Sequence, residues 1–209
     1  MARADNLYLQ QHNLVAGFLA SEDYAVANIN YRLAPNAKID DQLKDISSAL
    51  DYLDLHKEDF KLKENYKVVL IGHSAGAHLC ALYGLSENNY AGKNVDSVIG
   101  LAGPYDLTKE NERIFVNLAM NSILGGMSRE DASPVEQVEF GESTKFLLVL
   151  GEEDEMVEFE QMQSFENALR EKGVYVETLY VEDRTHETIF NQMNKRGVVG
   201  EKVLGFVGR

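Results

Sequence analysis

The stretch Gly72-His73-Ser74-Ala75-Gly76 follows the apolar run Val68–Ile71 and precedes the apolar segment Ala77–Leu82. A strand, a sharp turn flanked by glycines and a helix form the setting in which G-x-S-x-G acts as a nucleophile elbow. Glycine lets the backbone turn tightly, so the Ser74 hydroxyl is expected to stand clear of the sheet edge. The unpaired N–H groups of the following helix favour a developing oxyanion. The pattern therefore predicts a serine nucleophile, against the alternative of a chance glycine-serine turn.

The composition is that of an acidic chain with the size of one domain. Its 209 residues are 44% hydrophobic, enough to bury a core, and 20 basic against 34 acidic side chains leave a net charge of −14. This charge argues against a nucleic-acid or anionic-membrane surface. No apolar run reaches the length of a membrane span. The one cysteine, Cys80, cannot form an internal disulfide and is expected to be a buried apolar residue. We therefore expect a single domain over residues 1–209, located in the cytoplasm.

Hydrophobic periodicity predicts strands that alternate with helices along the whole chain. The predicted strands are Tyr24–Tyr31, Lys67–Ile71, Asp96–Leu101, Lys145–Leu150 and Val174–Val181. The predicted helices are Asn6–Ala20, Ile39–His56, one that opens at Ala77, Val157–Lys172 and Ile189–Val207. Residues 107–138 contain helical stretches broken by glycine and proline, and they are expected to form an insertion that shapes a pocket. This alternation predicts an α/β fold with a mostly parallel sheet of about five strands and helices on both faces.

Catalytic partners for Ser74 are expected just after the carboxyl ends of the strands, because functional sites of parallel sheets lie at that edge. The fourth predicted strand leads into an acidic loop that contains Asp154, and the last predicted strand leads to His186. A serine hydroxyl needs a base, and an imidazole needs a carboxylate to hold its tautomer. The chain supplies a serine, an acid and a histidine in that order, each after a strand, which favours a catalytic triad.

Other ionisable side chains compete for these roles. His73 and His78 flank the nucleophile, but elbow and helix geometry direct them away from the Ser74 hydroxyl, so they are interpreted as packing or hydrogen-bonded residues. His12 and His56 are predicted on solvated helix faces. Spacing alone leaves Asp154 barely ahead of the other acids that follow these strands, which are Glu152, Glu153, Glu155 and Asp183.

Six segments together resemble the α/β-hydrolase esterases of the hormone-sensitive-lipase and kynurenine-formamidase type, including the prenylcysteine-methylesterase-like branch. They extend over essentially the whole chain and are Tyr31–Pro35, Gln42–Asp45, Gly72–His78, Gly103–Leu107, Gly151–Val157 and Thr185-His186. The resemblance implies the α/β-hydrolase fold, with Ser74 as nucleophile, Asp154 as orienting acid and His186 as general base. It also implies structural roles for Arg32 and Asp45, and it implies neither a metal nor a cofactor.

The chain departs from this family at its N-terminal end. Family members carry a His-Gly-Gly loop upstream of the helix that opens this chain, and its N–H groups form half of the oxyanion hole. Nothing in the sequence matches that loop or the first three strands of the family sheet, one of which lies between Tyr24–Tyr31 and Lys67–Ile71. The Ala75 N–H is then the oxyanion donor that the resemblance retains. We expect either an incomplete gene product or a reduced form whose homo-oligomer covers an exposed strand edge.

Together these features predict a serine hydrolase that cleaves a small carboxylic ester through an acyl-enzyme. An arylformamidase is the nearest alternative, because that family shares the elbow and the triad. A weakly active or inactive relative that acts as a binding or interaction protein is another, since removing one oxyanion donor slows a reaction about 100- to 1,000-fold. The expected partner is a small-molecule ester or formamide.

Overall fold

A computed structural model describes residues 5–86, 95–109 and 121–208, with side chains described from residue 13 onward. Within these ranges the bounded strands are β1 (Val68–His73), β2 (Val95–Leu101), β3 (Lys145–Gly151) and β4 (Val176–Val181). The bounded helices are α1 (Asp5–Ala20), α2 (Ile39–Leu55), α3 (Ala75–Leu85), α4 (Phe159–Glu171) and α5 (Val198–Val207). Short 3₁₀ helices cover Pro134–Gln137 and Thr188–Gln192.

The four strands form one parallel sheet in the order β1-β2-β3-β4. Strands β2 and β3 are buried along almost their whole length. The interior strands of a parallel sheet that is covered on both faces are apolar along their whole length, which explains why residues Phe146–Leu150 of β3 are all hydrophobic. Because the strands are parallel, the carboxyl ends of all four described strands lie at the same edge of the sheet. The predicted α/β class with a parallel sheet is confirmed.

Two apolar clusters lie against the sheet. The larger contains Phe146 and Phe165 together with residues of α2, α3 and α4, and the smaller contains Leu147 and Ile189 together with residues of α5. The Phe165 ring stacks on Tyr105 at a centroid distance of 4.7 Å and meets the edge of Phe146 at 5.5 Å. Since successive side chains of a strand point to opposite faces, β3 divides its residues between the clusters. The sheet is thus supported beneath the loops that carry the candidate site.

Residues 24–31 are not a strand, so that prediction is wrong and the described sheet has four strands instead of about five. Tyr24, Val26 and Ile29 are 39%, 40% and 39% exposed. An apolar run reports a tendency to be buried, but a strand also needs a neighbouring backbone to pair with. In the described ranges β1 pairs with β2 alone, and the segment lies across a cavity from it.

The predicted terminal helix is also interrupted. The chain forms the 3₁₀ helix Thr188–Gln192, leaves helical geometry, and resumes as α5 at Val198. A Cβ atom at Gly197 or Gly200 would collide with the backbone of the preceding turn, so the chain folds back tightly here. Both parts face the smaller apolar cluster, which explains why their apolar spacing looks continuous in the sequence. The helical stretch predicted around Ile114, Val116 and Leu118 lies outside the described residues.

Arg32 and Asp45 tie the loop before α2 to that helix. The Arg32 Nε donates to both carboxylate oxygens of Asp45 at 3.0 Å, and the Arg32 backbone N–H donates to Oδ2 at 2.9 Å. These hydrogen bonds from Arg32 hold the pKa of Asp45 below its ordinary value. The arrangement agrees with the structural roles that the family resemblance implies for both residues.

Candidate active site

Ser74 lies on a strained turn between β1 and α3. Its backbone angles are φ 53° and ψ −121°, in a region that residues other than glycine rarely adopt. A Cβ atom at Gly72 would collide with the backbone of Gly76, so the close approach of these two positions requires glycine at 72, whereas position 76 has open space around it. The Ser74 N–H donates to the Leu101 carbonyl at 2.9 Å, which fastens the turn to the end of β2. The predicted strand-turn-helix geometry is confirmed.

Asp154 and His186 meet at the carboxyl ends of β3 and β4. The His186 Nδ1 lies 3.0 Å from Oδ2 and 3.2 Å from Oδ1 of Asp154. Both side chains are buried, with exposed fractions of 7% for His186 and 1% for Asp154. Because an ionised carboxylate can only accept, His186 carries its proton on Nδ1, and its Nε2 lone pair is left available to a donor.

The Asp154 carboxylate is held in its ionised form. Burial by itself raises the pKa of Asp154, but hydrogen bonds from the His186 imidazole and from the Val157 and Met156 N–H groups outweigh it, so the pKa lies below its ordinary value. Both backbone N–H groups donate to Oδ1 at 2.8 Å. Oδ1 is thereby occupied by the loop and Oδ2 is directed at the imidazole.

Contacts between the two loops set this geometry. The Glu153 N–H donates to the Arg184 carbonyl at 3.0 Å, and the Glu152 N–H donates to the Val181 carbonyl at 3.0 Å. Thr185 and Thr188 bracket His186, since the Thr185 N–H donates to the Thr188 hydroxyl at 2.8 Å. The side chains of Glu152, Glu153 and Glu155 are exposed. Of the four acids in this loop that spacing could not separate, Asp154 is therefore the one placed against the imidazole.

His73 brings His186 beside the elbow. The His73 Nε2 lies 2.8 Å from the His186 carbonyl oxygen, which can only accept, so Nε2 carries the proton. The two rings are 4.6 Å apart between centroids, and the His73 ring lies 4.4 Å from that of Phe190. The predicted hydrogen-bonded role of His73 is confirmed, but its contact with His186 was not foreseen. Its position directly before Ser74 is the one signal in the sequence that could have suggested it.

The Ser74 hydroxyl makes no hydrogen bond to the side chains or backbone that the structure describes. Catalytic hydrogen bonds are often long before substrate binds and shorten in the complex, so this is compatible with a nucleophile. Ala75 is the first residue of α3, so its N–H has no acceptor within the helix. It can therefore face a substrate oxygen.

The remaining candidates have other partners. His78 is buried, its Nε2 lies 2.7 Å from the Ala132 carbonyl, and burial lowers its pKa to about 4 in spite of that bond, so it is neutral at pH 7. His56 pairs with Asp59 at 3.0 Å, while the His12 side chain lies outside the described residues.

Cys80 is buried as predicted, and burial raises the pKa of its thiol to about 12. In the described ranges, no group of three or more histidine, cysteine or acidic side chains could hold a metal ion, and no helix is long and apolar enough to cross a membrane.

Three comparisons relate this geometry to known proteins. The BD-FAE family model matches residues 5–169, which include Ser74 and Asp154 and end before His186. A probable isoprenylcysteine alpha-carbonyl methylesterase of Arabidopsis thaliana is 24% identical to the chain, of which the match covers 90%. The kynurenine formamidase of Drosophila melanogaster is 30% identical, with 76% of the chain covered. The chain spans only 44% and 54% of the lengths of these two relatives.

Comparison with solved structures relates the fold of this chain to that of an esterase. Esterase B of Lactobacillus rhamnosis superposes with a TM-score of 0.79 at 20% identity, covering 94% of this chain and 68% of the esterase. Identity at this level shows a shared fold and leaves activity open. Since the family model covers more than half of the sequence, the chain belongs to the BD-FAE family and has the α/β-hydrolase fold.

Proposed function

We propose that the chain is a carboxylic ester hydrolase in which Ser74 is the nucleophile, His186 the general base and Asp154 the acid that orients it. One observation carries the proposal. The His186 Nδ1 is bonded to a buried, ionised Asp154 while its ring packs on His73, the residue before Ser74. This arrangement leaves the His186 Nε2 directed away from Asp154 and available for the proton of a strained serine, as nucleophilic catalysis requires.

The reaction proceeds in two steps. The Ser74 Oγ attacks the ester carbonyl carbon as His186 Nε2 takes its proton, and the imidazolium then gives that proton to the departing alcohol. A water molecule, deprotonated by the same nitrogen, next attacks the acyl-enzyme; the bond from the acyl carbon to Ser74 Oγ breaks, the imidazolium returns its proton to Oγ, and the carboxylic acid leaves. Asp154 stays ionised throughout and stabilises the imidazolium, as its lowered pKa favours.

The Ala75 N–H supports the tetrahedral intermediate. It begins α3, where the positive end of the helix dipole adds to its donor strength. Each donor of an oxyanion hole contributes roughly 100- to 1,000-fold to the rate. Activated esters with good leaving groups are the substrates on which turnover is measured.

A formamide is the second candidate substrate, because the kynurenine formamidase of Drosophila melanogaster is among the more similar relatives at 30% identity. The same residues would attack the formyl carbon, and His186 would then protonate a departing amine. Turnover of p-nitrophenyl acetate compared with that of N-formylkynurenine distinguishes the two. Preference for the formamide by kcat/KM would replace the esterase proposal.

Covalent labelling with a fluorophosphonate tests whether the chain is an enzyme at all. The reagent should add to Ser74, as located by mass spectrometry, and Ser74→Ala should abolish both labelling and turnover. Ser48→Ala is the matched control, because this exposed serine on α2 bonds only to its own helix through the Lys44 carbonyl at 2.8 Å. A folded protein whose Ser74 stays unlabelled would be a binding module, and the esterase proposal would fail.

A further inference from the structure

Residues 102–107, here called the β2 loop, adopt a conformation that is costly to hold. Ala102 has φ 51°, in the left-handed region that favours glycine, yet it is an alanine with no exposed surface. The Tyr105 ring is buried, and its hydroxyl has no hydrogen-bond partner among the described residues. A Cβ atom at Gly100 or Gly103 would collide with the Tyr105 side chain. Such conformations persist where the surroundings impose them, and they cluster at functional sites.

The β2 loop adjoins the residue that anchors the nucleophile. Leu101, the last residue of β2, accepts the Ser74 N–H at 2.9 Å. A Cβ atom at Gly103 would lie 2.8 Å from the Ala77 side chain, so the loop passes close against the first turn of α3. The path of the β2 loop therefore fixes the strand end that holds Ser74.

The Gln161 side chain of α4 clamps the β2 loop. Its Oε1 accepts the backbone N–H groups of Tyr105 and Asp106, both at 2.8 Å. Its Nε2 donates to the Asp106 carbonyl at 3.0 Å. The three bonds use both ends of the carboxamide, which is a donor at nitrogen and an acceptor at oxygen. Without this amide, two backbone N–H groups of the loop lose their acceptor, which is costly for partly buried groups.

Gln161 also belongs to the helix that directly follows the loop of the acid. The Val157 N–H donates to Asp154 at 2.8 Å, and α4 begins two residues later. Gln161 lies in the first turn of that helix, and Phe165, one turn further, stacks on the Tyr105 ring at 4.7 Å. The start of α4 thus connects the acid to the strand end that anchors the nucleophile.

We propose that Gln161 is a positioning residue for the triad, which it serves by holding the β2 loop against α4. It acts on Ser74 through Leu101 and on Asp154 through the start of α4. The inference rests on the proposed esterase function, because it concerns the reactivity of Ser74. A misplacement of reacting groups by about 1 Å can cost about 100-fold in rate. Loss of the clamp should therefore lower kcat and kcat/KM together, with KM nearly unchanged.

Gln161→Met tests the clamp, since methionine keeps the length of the side chain and removes its amide. We expect kcat for p-nitrophenyl acetate and the rate of fluorophosphonate labelling of Ser74 to fall roughly 10- to 100-fold. Gln161→Glu keeps an oxygen that accepts both N–H groups but loses the donor to the Asp106 carbonyl. It should lower both rates roughly 2- to 10-fold, the effect of one net hydrogen bond, and it decides the question if the methionine variant does not fold.

Leu169→Ala is the matched control, because it removes a buried apolar side chain from α4 two turns beyond Gln161. It should lower the urea midpoint at least as far as Gln161→Glu does, while kcat stays within about twofold. A second measurement does not depend on the chemistry. Amide hydrogen exchange of Ser74, whose N–H bonds to the Leu101 carbonyl, should quicken roughly tenfold more in the Gln161 variants than in Leu169→Ala.

The outcomes separate this proposal from the proposed function. Native kcat in the folded Gln161 variants, an equal loss of kcat in Leu169→Ala, or unchanged exchange of the Ser74 amide would each overturn the positioning role while the esterase proposal stands. A native chain whose Ser74 is not labelled would overturn the esterase proposal instead. Exchange of the Ser74 amide alone would then decide whether Gln161 holds the elbow.

Discussion

Replacing Asp154 by asparagine is the most informative single change, because the structure determines how the new amide must lie. Oδ1 of Asp154 accepts two backbone N–H groups at 2.8 Å, from Met156 and Val157. The carbonyl oxygen of the introduced asparagine must keep that position, since the amide nitrogen cannot accept those bonds. The amide NH₂ then faces the His186 Nδ1 at the 3.0 Å now spanned by Oδ2.

The consequence is a change of tautomer. A donor opposite Nδ1 forces the imidazole to carry its proton on Nε2, so His186 can no longer accept the Ser74 proton. The corresponding change in a serine protease lowers kcat about 10⁴-fold, and we expect a loss of that order here. The two backbone bonds survive, so the free energy of unfolding should fall by only about 1–2 kcal/mol, the difference between a charged and a neutral hydrogen bond.

The assay combines p-nitrophenyl acetate turnover with ¹⁵N NMR of the His186 ring, which reports the tautomer whether or not the chain is active. Glu153→Gln is the control, because that neighbouring acid is exposed and should change kcat less than about twofold. Retention of activity within about tenfold in the asparagine variant, or an unchanged Nδ1–H tautomer, would refute the reasoning.

Three further predictions concern stability. Phe165→Ala removes a fully buried ring and should cost about 3–5 kcal/mol in urea unfolding, whereas Leu55→Ala, at a side chain that is 80% exposed, should stay within about 0.5 kcal/mol. Gly72→Ala places a Cβ against the Gly76 backbone and should cost about 1–3 kcal/mol or more, so an unchanged midpoint would contradict the close approach. The folded pKa of Asp154 is lowered, so its contribution is complete above the unfolded pKa and is lost on acidification. The stability difference between the native chain and Asp154→Asn should therefore shrink as the pH falls below about 4, and a difference that grows there would reverse the assigned sign.

Local patterns predicted those parts of the molecule that depend on residues close in sequence. The elbow at Ser74 and the α/β class are of this kind, because both follow from apolar runs, glycines and periodicity within short segments. The family resemblance rests on such segments too. By contrast, residues 24–31 carry a strand-like run but form no strand, because pairing depends on where another backbone lies.

Spacing cannot separate Asp154 from the other three acids of its loop, and before the structure only the family resemblance named it. The physical basis of that choice is tertiary, because the contacts of the loop with the Arg184 carbonyl and of Asp154 with His186 set it apart from its neighbours. The same holds for His73, whose contact with His186 joins residues 113 positions apart.

By itself the sequence therefore determined which kinds of catalytic side chain the chain carries and in what order: a serine on a tight turn, followed by an acid and a histidine after later strands. The tertiary structure decided that Asp154 contacts His186 and that His73 holds the His186 backbone beside the elbow, and in the described ranges it pairs β1 with β2 alone. The physical reason is the separation along the chain between the residues that interact. Turn geometry and amphipathic spacing are set by neighbours along the chain, whereas hydrogen-bond partners and strand pairing are set by neighbours in space.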